Sequence, residues 1–243
     1  GEAGMKMSDL HWPADVDVIQ DESADVIANK LARTVAEKLT EALGRKSRAC
    51  MAVSGGSTPK AFFQALSQLP VEWSRVDVTL ADERWVDVDA DASNERLVRA
   101  ALLQGPAANA RLIGLKQPHD TANAGQPIAE EALAEMEWPL DVLVLGMGND
   151  GHTASLFPDA PEIGEALDSS RPARCIAMHP PSQAVPRISL SRRVLAEAGW
   201  TAVHLKGTDK LETLERAFAD LANVHAMPIR AFLGGGAQVY WSP

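Results

Sequence analysis

A run of five residues, Asp141-Val142-Leu143-Val144-Leu145, most constrains what this chain can become. Successive side chains of a strand point to opposite faces, so an unbroken apolar run wants both faces covered. Directly behind it stand Gly146-Met147-Gly148-Asn149-Asp150-Gly151-His152-Thr153. The buried strand therefore ends in a glycine-rich turn carrying a carboxylate and an imidazole two residues apart. Backbone donors, an acid and a base that titrates near neutrality meet at one strand end. Open α/β sheets place their ligands there.

The rest of the chain repeats the alternation of strand and helix. Within residues 22–43, Val26, Leu31, Val35, Leu39 and Leu43 recur at near-helical spacing with charged residues between them. That predicts an amphipathic helix laid on a core. Cys50-Met51-Ala52-Val53 reads as a short buried strand. Ser54-Gly55-Gly56-Ser57-Thr58-Pro59 then turns into a helix over 60–66, with Pro59 in its first turn and Ser57 or Thr58 as its cap. Val76, Val78 and Leu80 alternate as a strand ending at Asp82-Glu83-Arg84, and Ser93 or Asn94 caps a helix through Leu103. Residues 104–126 read as loop, with at most a short strand at Leu112-Ile113, and Pro127 opens a helix to about Met136. Pro158 and Pro161 limit any helix behind the glycine-rich turn. Further strands are expected at 174–178, 187–190, 200–205 and 238–241, and a helix at 208–221. This order predicts an α/β fold, an open and mostly parallel sheet flanked by helices on both faces. No repeat or linker interrupts it, so residues 1–243 read as a single domain, with residues 1–6 set aside as an uninformative lead-in.

Composition narrows the partners. A net charge of −10 argues against nucleic acid or an anionic membrane surface as the main partner. An anionic ligand would then need a local cluster of Arg, Lys and backbone N–H groups. No apolar stretch approaches the ~18 residues of a membrane span, and no signal-like segment opens the chain. Both cysteines, Cys50 and Cys175, sit in apolar runs and read as buried reduced thiols. A cytoplasmic location is expected.

Each candidate site competes with a plainer reading. A strand that turns through Gly55 and Gly56 into a helix aims N–H groups and a positive helix end at one point, which suits phosphate. An ordinary strand-to-helix turn accounts for it equally well, and no P-loop lysine follows. Gly146-x-Gly148-x-x-Gly151 has the form of a dinucleotide fingerprint. Pro158 and Pro161 interrupt the helix that motif needs, and Asp168 lies in a polar loop. His152 is set apart from His11, His119, His204 and His225, which read as structural, by its strand-end position and by Asp150. Taken alone, Asp82-Glu83-Arg84 reads as a solvated charge run. Arg187, Lys206 and Lys210 equally admit a surface reading, although Arg187 directly precedes an apolar strand. No His-Glu-x-x-His, Cys-x-x-Cys or Gly-x-Ser-x-Gly is present, so metal-hydrolase and serine-hydrolase chemistry lack support.

Taken together, Ser54-Gly55-Gly56-Ser57-Thr58-Pro59-Lys60, Asp82-Glu83-Arg84-Trp85-Val86, Ser93-Asn94 and the run from Gly146 to Pro158 resemble the 6-phosphogluconolactonase family. The resemblance implies the open α/β fold shared with glucosamine-6-phosphate deaminases and ribose-5-phosphate isomerases. It implies hydrolysis of 6-phospho-D-glucono-1,5-lactone to 6-phosphogluconate, with no cofactor, metal or covalent intermediate. By the same resemblance Gly55, Gly56, Ser57 and Thr58 would hold the phosphate. Arg187 and Lys210 would add positive charge, and Asp82 would line the substrate. His152 would activate water, Asp150 would orient it, and Arg84 or the N–H groups of the 146–151 turn would stabilise the oxyanion. The related deaminases place a glutamate five residues after the histidine, where this chain has Phe157, and a phenylalanine cannot shuttle protons. A deaminase-like enzyme and a non-catalytic sugar-phosphate sensor are the alternatives. A monomer or weak homodimer is expected.

Overall fold

The structure is a computed structural model that describes residues 4–243. Residues 1–3 of the lead-in lie outside the described residues. In chain order the strands are β1 (Asp17–Gln20), β2 (Ala49–Val53), β3 (Val76–Leu80), β4 (Asp82–Arg84), β5 (Arg111–Ile113), β6 (Val142–Leu145), β7 (Cys175–Met178), β8 (Arg187–Leu190), β9 (Trp200–Lys206) and β10 (Gln238–Ser242). The helices are α1 (Ala24–Leu43), α2 (Lys60–Ser67), α3 (Asn94–Ala101), α4 (Ala122–Leu133), α5 (Ile163–Ala166), α6 (Arg192–Ala196) and α7 (Asp209–Phe218).

Seven strands form one sheet in the order β1-β10-β9-β6-β2-β3-β5, and every neighbouring pair is parallel. The apolar runs at β2, β3 and β6 are buried along their whole length, as strands covered on both faces must be. On β9, Ala202 belongs to one hydrophobic core and its neighbour Val203 to the other, so alternate residues feed the two faces. From β2 the chain steps outward to β3 and β5, then returns to β6 and steps the opposite way to β9 and β10. The direction reverses between β2 and β6. Loops leaving those adjacent strands part to opposite sides and open a crevice.

Four local expectations are corrected. Asp82–Arg84 is not the tail of β3 but a separate strand. The chain bends at Ala81, and β4 pairs antiparallel with β8, which pairs with β7 in a second, three-stranded sheet. α4 begins at Ala122, capped by the Thr121 hydroxyl, and carries Pro127 inside it rather than at its start. Neither Ser57 nor Thr58 caps α2. Pro59 stands at the cap without a side-chain hydrogen bond, which leaves the helix end open to a ligand. On α1, Val26 is exposed and Ile27 takes its place in the buried stripe. The edge strand β1 was not foreseen, since its ends are exposed and polar. Ser93 does cap α3, accepting from the Arg96 amide at 3.2 Å.

Cys50 and Cys175 are buried and unpaired. Burial pushes both thiols up, Cys50 to about 12. No helix among the described residues is long and apolar enough to cross a membrane.

Candidate active site

The crevice is built from three chain segments. At the end of β2, Gly55 packs against the Asn94 side chain so closely that a Cβ would collide with it, and Gly56 turns with φ of +102°. Only glycine meets both demands. At the end of β6 the turn closes through Gly148 N–H to His152 C=O and Gly151 N–H to Gly148 C=O, both 2.9 Å. The Thr153 hydroxyl donates to Gly146 C=O at 2.8 Å. The imidazole of His152 lies directly over Gly148, where a Cβ would strike the ring.

Asp150 fixes that ring. Its Oδ1 accepts from the His152 amide at 2.9 Å and lies 2.6 Å from Nδ1. Burial works to raise the Asp150 carboxyl, but the hydrogen bonds from the His152 ring and amide, with the ring's charge, hold it below the usual carboxylate range. An ionised partner on Nδ1 keeps the proton there and leaves Nε2 free to accept. Phe157 stacks under the imidazole at 4.0 Å with 20° between planes, and the Arg187 guanidinium lies 5.1 Å from the same phenyl ring.

The third segment reverses the plain reading of Asp82-Glu83-Arg84. Asp82 and Glu83 are buried. Glu83 accepts from the amides of Asn94 (2.7 Å) and Glu95 (2.9 Å) and from the Ser93 hydroxyl (3.0 Å). Burial pushes the Glu83 carboxyl up against those bonds. It anchors the start of α3 to β4 and so places Asn94 and Arg84. Arg84 donates to Ala92 C=O at 3.0 Å and approaches Asn94 Oδ1 at 3.4 Å. Asp82 accepts a short hydrogen bond from Ser155 and lies 3.9 Å from Arg187, opposite which Gln183 accepts at 2.8 Å. The antiparallel register that sets Arg84 beside Arg187 brings these two cations to one wall.

One cavity of about 270 Å³ joins the segments. Gly55, Gly56, Ser57, Thr58, Asp82, Arg84, His152, Arg187 and Lys210 line it, and Asp150 stands behind His152. Lys210 donates to Asn149 Oδ1 at 2.8 Å on the β6 turn. Ser54, Asn94, Lys206 and His204 line it too. In the sequence Asn94 is a possible cap and part of the Ser93-Asn94 motif without an assigned role, and His204 reads as structural. A polar side chain on a central strand, four residues into the apolar-leaning β9 run, was the signal available for His204. Among the described residues, four buried side-chain polar atoms have no hydrogen-bond partner: Ser54 Oγ, Arg84 Nε, Arg187 Nε and His204 Nδ1. All four belong to residues lining this cavity. Unmet buried polar groups are rare in folded proteins, and their concentration here marks a site built for a ligand.

The family described as glucosamine-6-phosphate isomerases/6-phosphogluconolactonase matches residues 22–241. The chain is 45% identical over 239 residues to a 6-phosphogluconolactonase of Pseudomonas aeruginosa, covering 98% of this chain and 100% of that one. It is 43% identical over 243 residues to one of Pseudomonas putida, covering 100% of each. The crystal structure of a 6-phosphogluconolactonase from Shewanella baltica superposes with a TM-score of 0.90 at 44% identity, over 94% of this chain and 98% of that one. A monomeric glucosamine-6-phosphate deaminase, 14% identical with a TM-score of 0.74 over 93% of this chain and 97% of that one, shares the fold alone. The chain belongs to the glucosamine-6-phosphate isomerase/6-phosphogluconolactonase family.

Proposed function

We propose that this protein hydrolyses 6-phospho-D-glucono-1,5-lactone to 6-phospho-D-gluconate, with His152 as general base. The observation that carries this is one cavity with a carboxylate-backed imidazole on one wall and an open helix end with Gly55–Thr58 on another. The phosphate lies against the amides of Gly55 and Gly56 and the hydroxyls of Ser57 and Thr58. Lys210, Lys206 and Arg187 supply the charge that a chain of net −10 otherwise lacks.

With Nδ1–H bonded to Asp150, Nε2 of His152 takes a proton from water as the oxygen attacks the lactone carbonyl. The carbonyl oxygen then carries negative charge. In the β6 turn the N–H groups of Gly148 and Gly151 are already occupied within the turn. Arg84, which lines the cavity, is the donor we assign to the oxyanion. Collapse of the tetrahedral intermediate breaks the ring C–O bond, and the proton held by His152 passes to the leaving ring oxygen.

Deaminase chemistry finds no acid at Phe157, which is buried and serves as a platform for the imidazole. Because cradle, base and Arg84 come from both sheets, we treat the chain as one lactonase domain. The test is a coupled assay on freshly generated 6-phosphogluconolactone, corrected for spontaneous opening, with glucosamine 6-phosphate as control. His152→Ala is expected to lower turnover by about 10² to 10⁴ while 6-phosphogluconate still binds. Undiminished turnover above the spontaneous rate would refute the assignment of the base.

A further inference from the structure

His204 is a buried histidine that the mechanism above does not use. It sits on β9, two residues beyond Ala202, which is in register with Val144 of β6 and, through it, Val53 of β2. One pleat further along those strands come Gly55, Gly146 and His204. His204 therefore lies level with the start of the anion cradle, on the face covered by α2, where its ring meets the Phe62 ring edge-on at 6.1 Å. It is 6% exposed, and what remains faces the cavity that Thr58, Pro59 and Lys206 also line. Neither ring nitrogen has a hydrogen-bond partner among the described residues, and Nδ1 is shut away from any solvent or ligand. Burial holds the ring neutral by pushing it down to about 4.

A neutral imidazole carries one N–H. A sealed N–H with nothing to accept it is rarer and costlier than a sealed lone pair, so the proton belongs on Nε2, the nitrogen left for the cavity. We infer that His204 is a further substrate-binding residue, an uncharged donor on the floor of the cradle whose Nε2–H is met by a phosphoryl oxygen. This rests on the cradle binding phosphate as proposed above. The role suits the position: a second cation beneath the cradle would need a counter-charge in the core, whereas a neutral donor needs none. Lys206 lies one pleat further along the same face, so charge stands toward the rim and the neutral donor at the bottom.

The assignment is tested on the full-length chain in two ways. His204→Leu is expected to weaken 6-phosphogluconate binding by about 10- to 150-fold, the loss of one hydrogen bond to a charged group, and to leave D-gluconate binding unchanged. His204→Asn, which keeps a donor, recovers most of that affinity. In the wild type labelled with ¹⁵N-histidine, saturating 6-phosphogluconate is expected to shift His204 Nε2 while Nδ1 stays unprotonated, and inorganic phosphate to do the same. Wild-type affinity in a folded His204→Leu variant overturns the inference, as does an Nε2 signal that moves with neither ligand. If the leucine variant fails to fold, the labelled wild type decides. A response to inorganic phosphate with none to 6-phosphogluconate would sink the lactonase reading and leave His204 in place.

Discussion

The sharpest test of the active-site geometry is Gly148→Ala, one methyl group added in a turn that does no chemistry itself. A Cβ there would collide with Cε1 and Nδ1 of His152 and stand 2.9 Å from Asp150 Oδ1. The imidazole must swing away, losing both its Asp150 partner and the Phe157 stack. Gly148 is absent from the positive-φ glycines, so alanine fits its backbone. A positioned general base contributes about 10² to 10⁴ in rate. At 1.36 kcal/mol per decade, its displacement raises the barrier by about 2.7–5.4 kcal/mol. Stability should barely move. The lost ring contacts cost on the order of 1–2 kcal/mol, and removing a glycine from the unfolded chain returns about 0.4–1. For a chain of this size the net shift in Tm is a few degrees. The readout is kcat and KM for 6-phosphogluconolactone beside a melting curve: kcat falls to the level of His152→Ala, KM stays within a few-fold, and the melt holds. The double variant should be no slower than His152→Ala, because both remove one function. Wild-type kcat in Gly148→Ala would mean that the ring does not work from its place over this glycine.

Two further outcomes follow from the same structure. Lys210→Gln or Arg187→Gln should weaken 6-phosphogluconate by about 10- to 150-fold and spare unphosphorylated gluconolactone, as isothermal calorimetry would show; equal losses for both ligands would remove that residue from the phosphate site. His204, held near 4 when folded against about 6.5 when unfolded, takes up its proton more readily in the unfolded chain. Its contribution to stability is therefore intact above pH 6.5 and declines as pH falls toward 4, by roughly 3 kcal/mol over that window. Denaturant titrations of wild type and His204→Leu across pH 7 to 4 should differ in slope by that amount, and parallel curves would contradict it.

The parallel sheet was legible because β2, β3 and β6 advertise themselves with apolar residues, and the glycines that close β2 and β6 are set by local geometry. The bend at Ala81 was not. Asp82–Arg84 continues β3 in sequence, and only its pairing with β8, about a hundred residues away, makes it a separate strand. That long-range pairing turns an apparent charge run into a buried anchor, and no local pattern encodes it. Glu83 was invisible for the same reason. A buried carboxylate is sustainable there only because three amides and a hydroxyl converge on it, from Arg84 behind it and from the start of α3.

His204 failed to register for the opposite reason. Its neighbours look like an ordinary strand, and what distinguishes it is the lack of a partner, a property of three dimensions alone. The residues that local sequence reveals are those whose backbone is constrained, such as Gly55, Gly148 and Gly151. Those it hides are polar side chains whose partner is either distant in the chain or supplied by substrate. Arg84, Arg187, Ser54 and His204 each keep a buried polar atom unmet. Since an unmet buried group costs on the order of 1–3 kcal/mol, four of them around one cavity represent stability forgone in the empty protein. All four residues line the cavity, so their remaining polar atoms are placed for a ligand. The guanidinium groups of Arg84 and Arg187 on the cavity wall and the open end of α2 then specify its charge: it must be anionic, in a protein whose overall field repels anions.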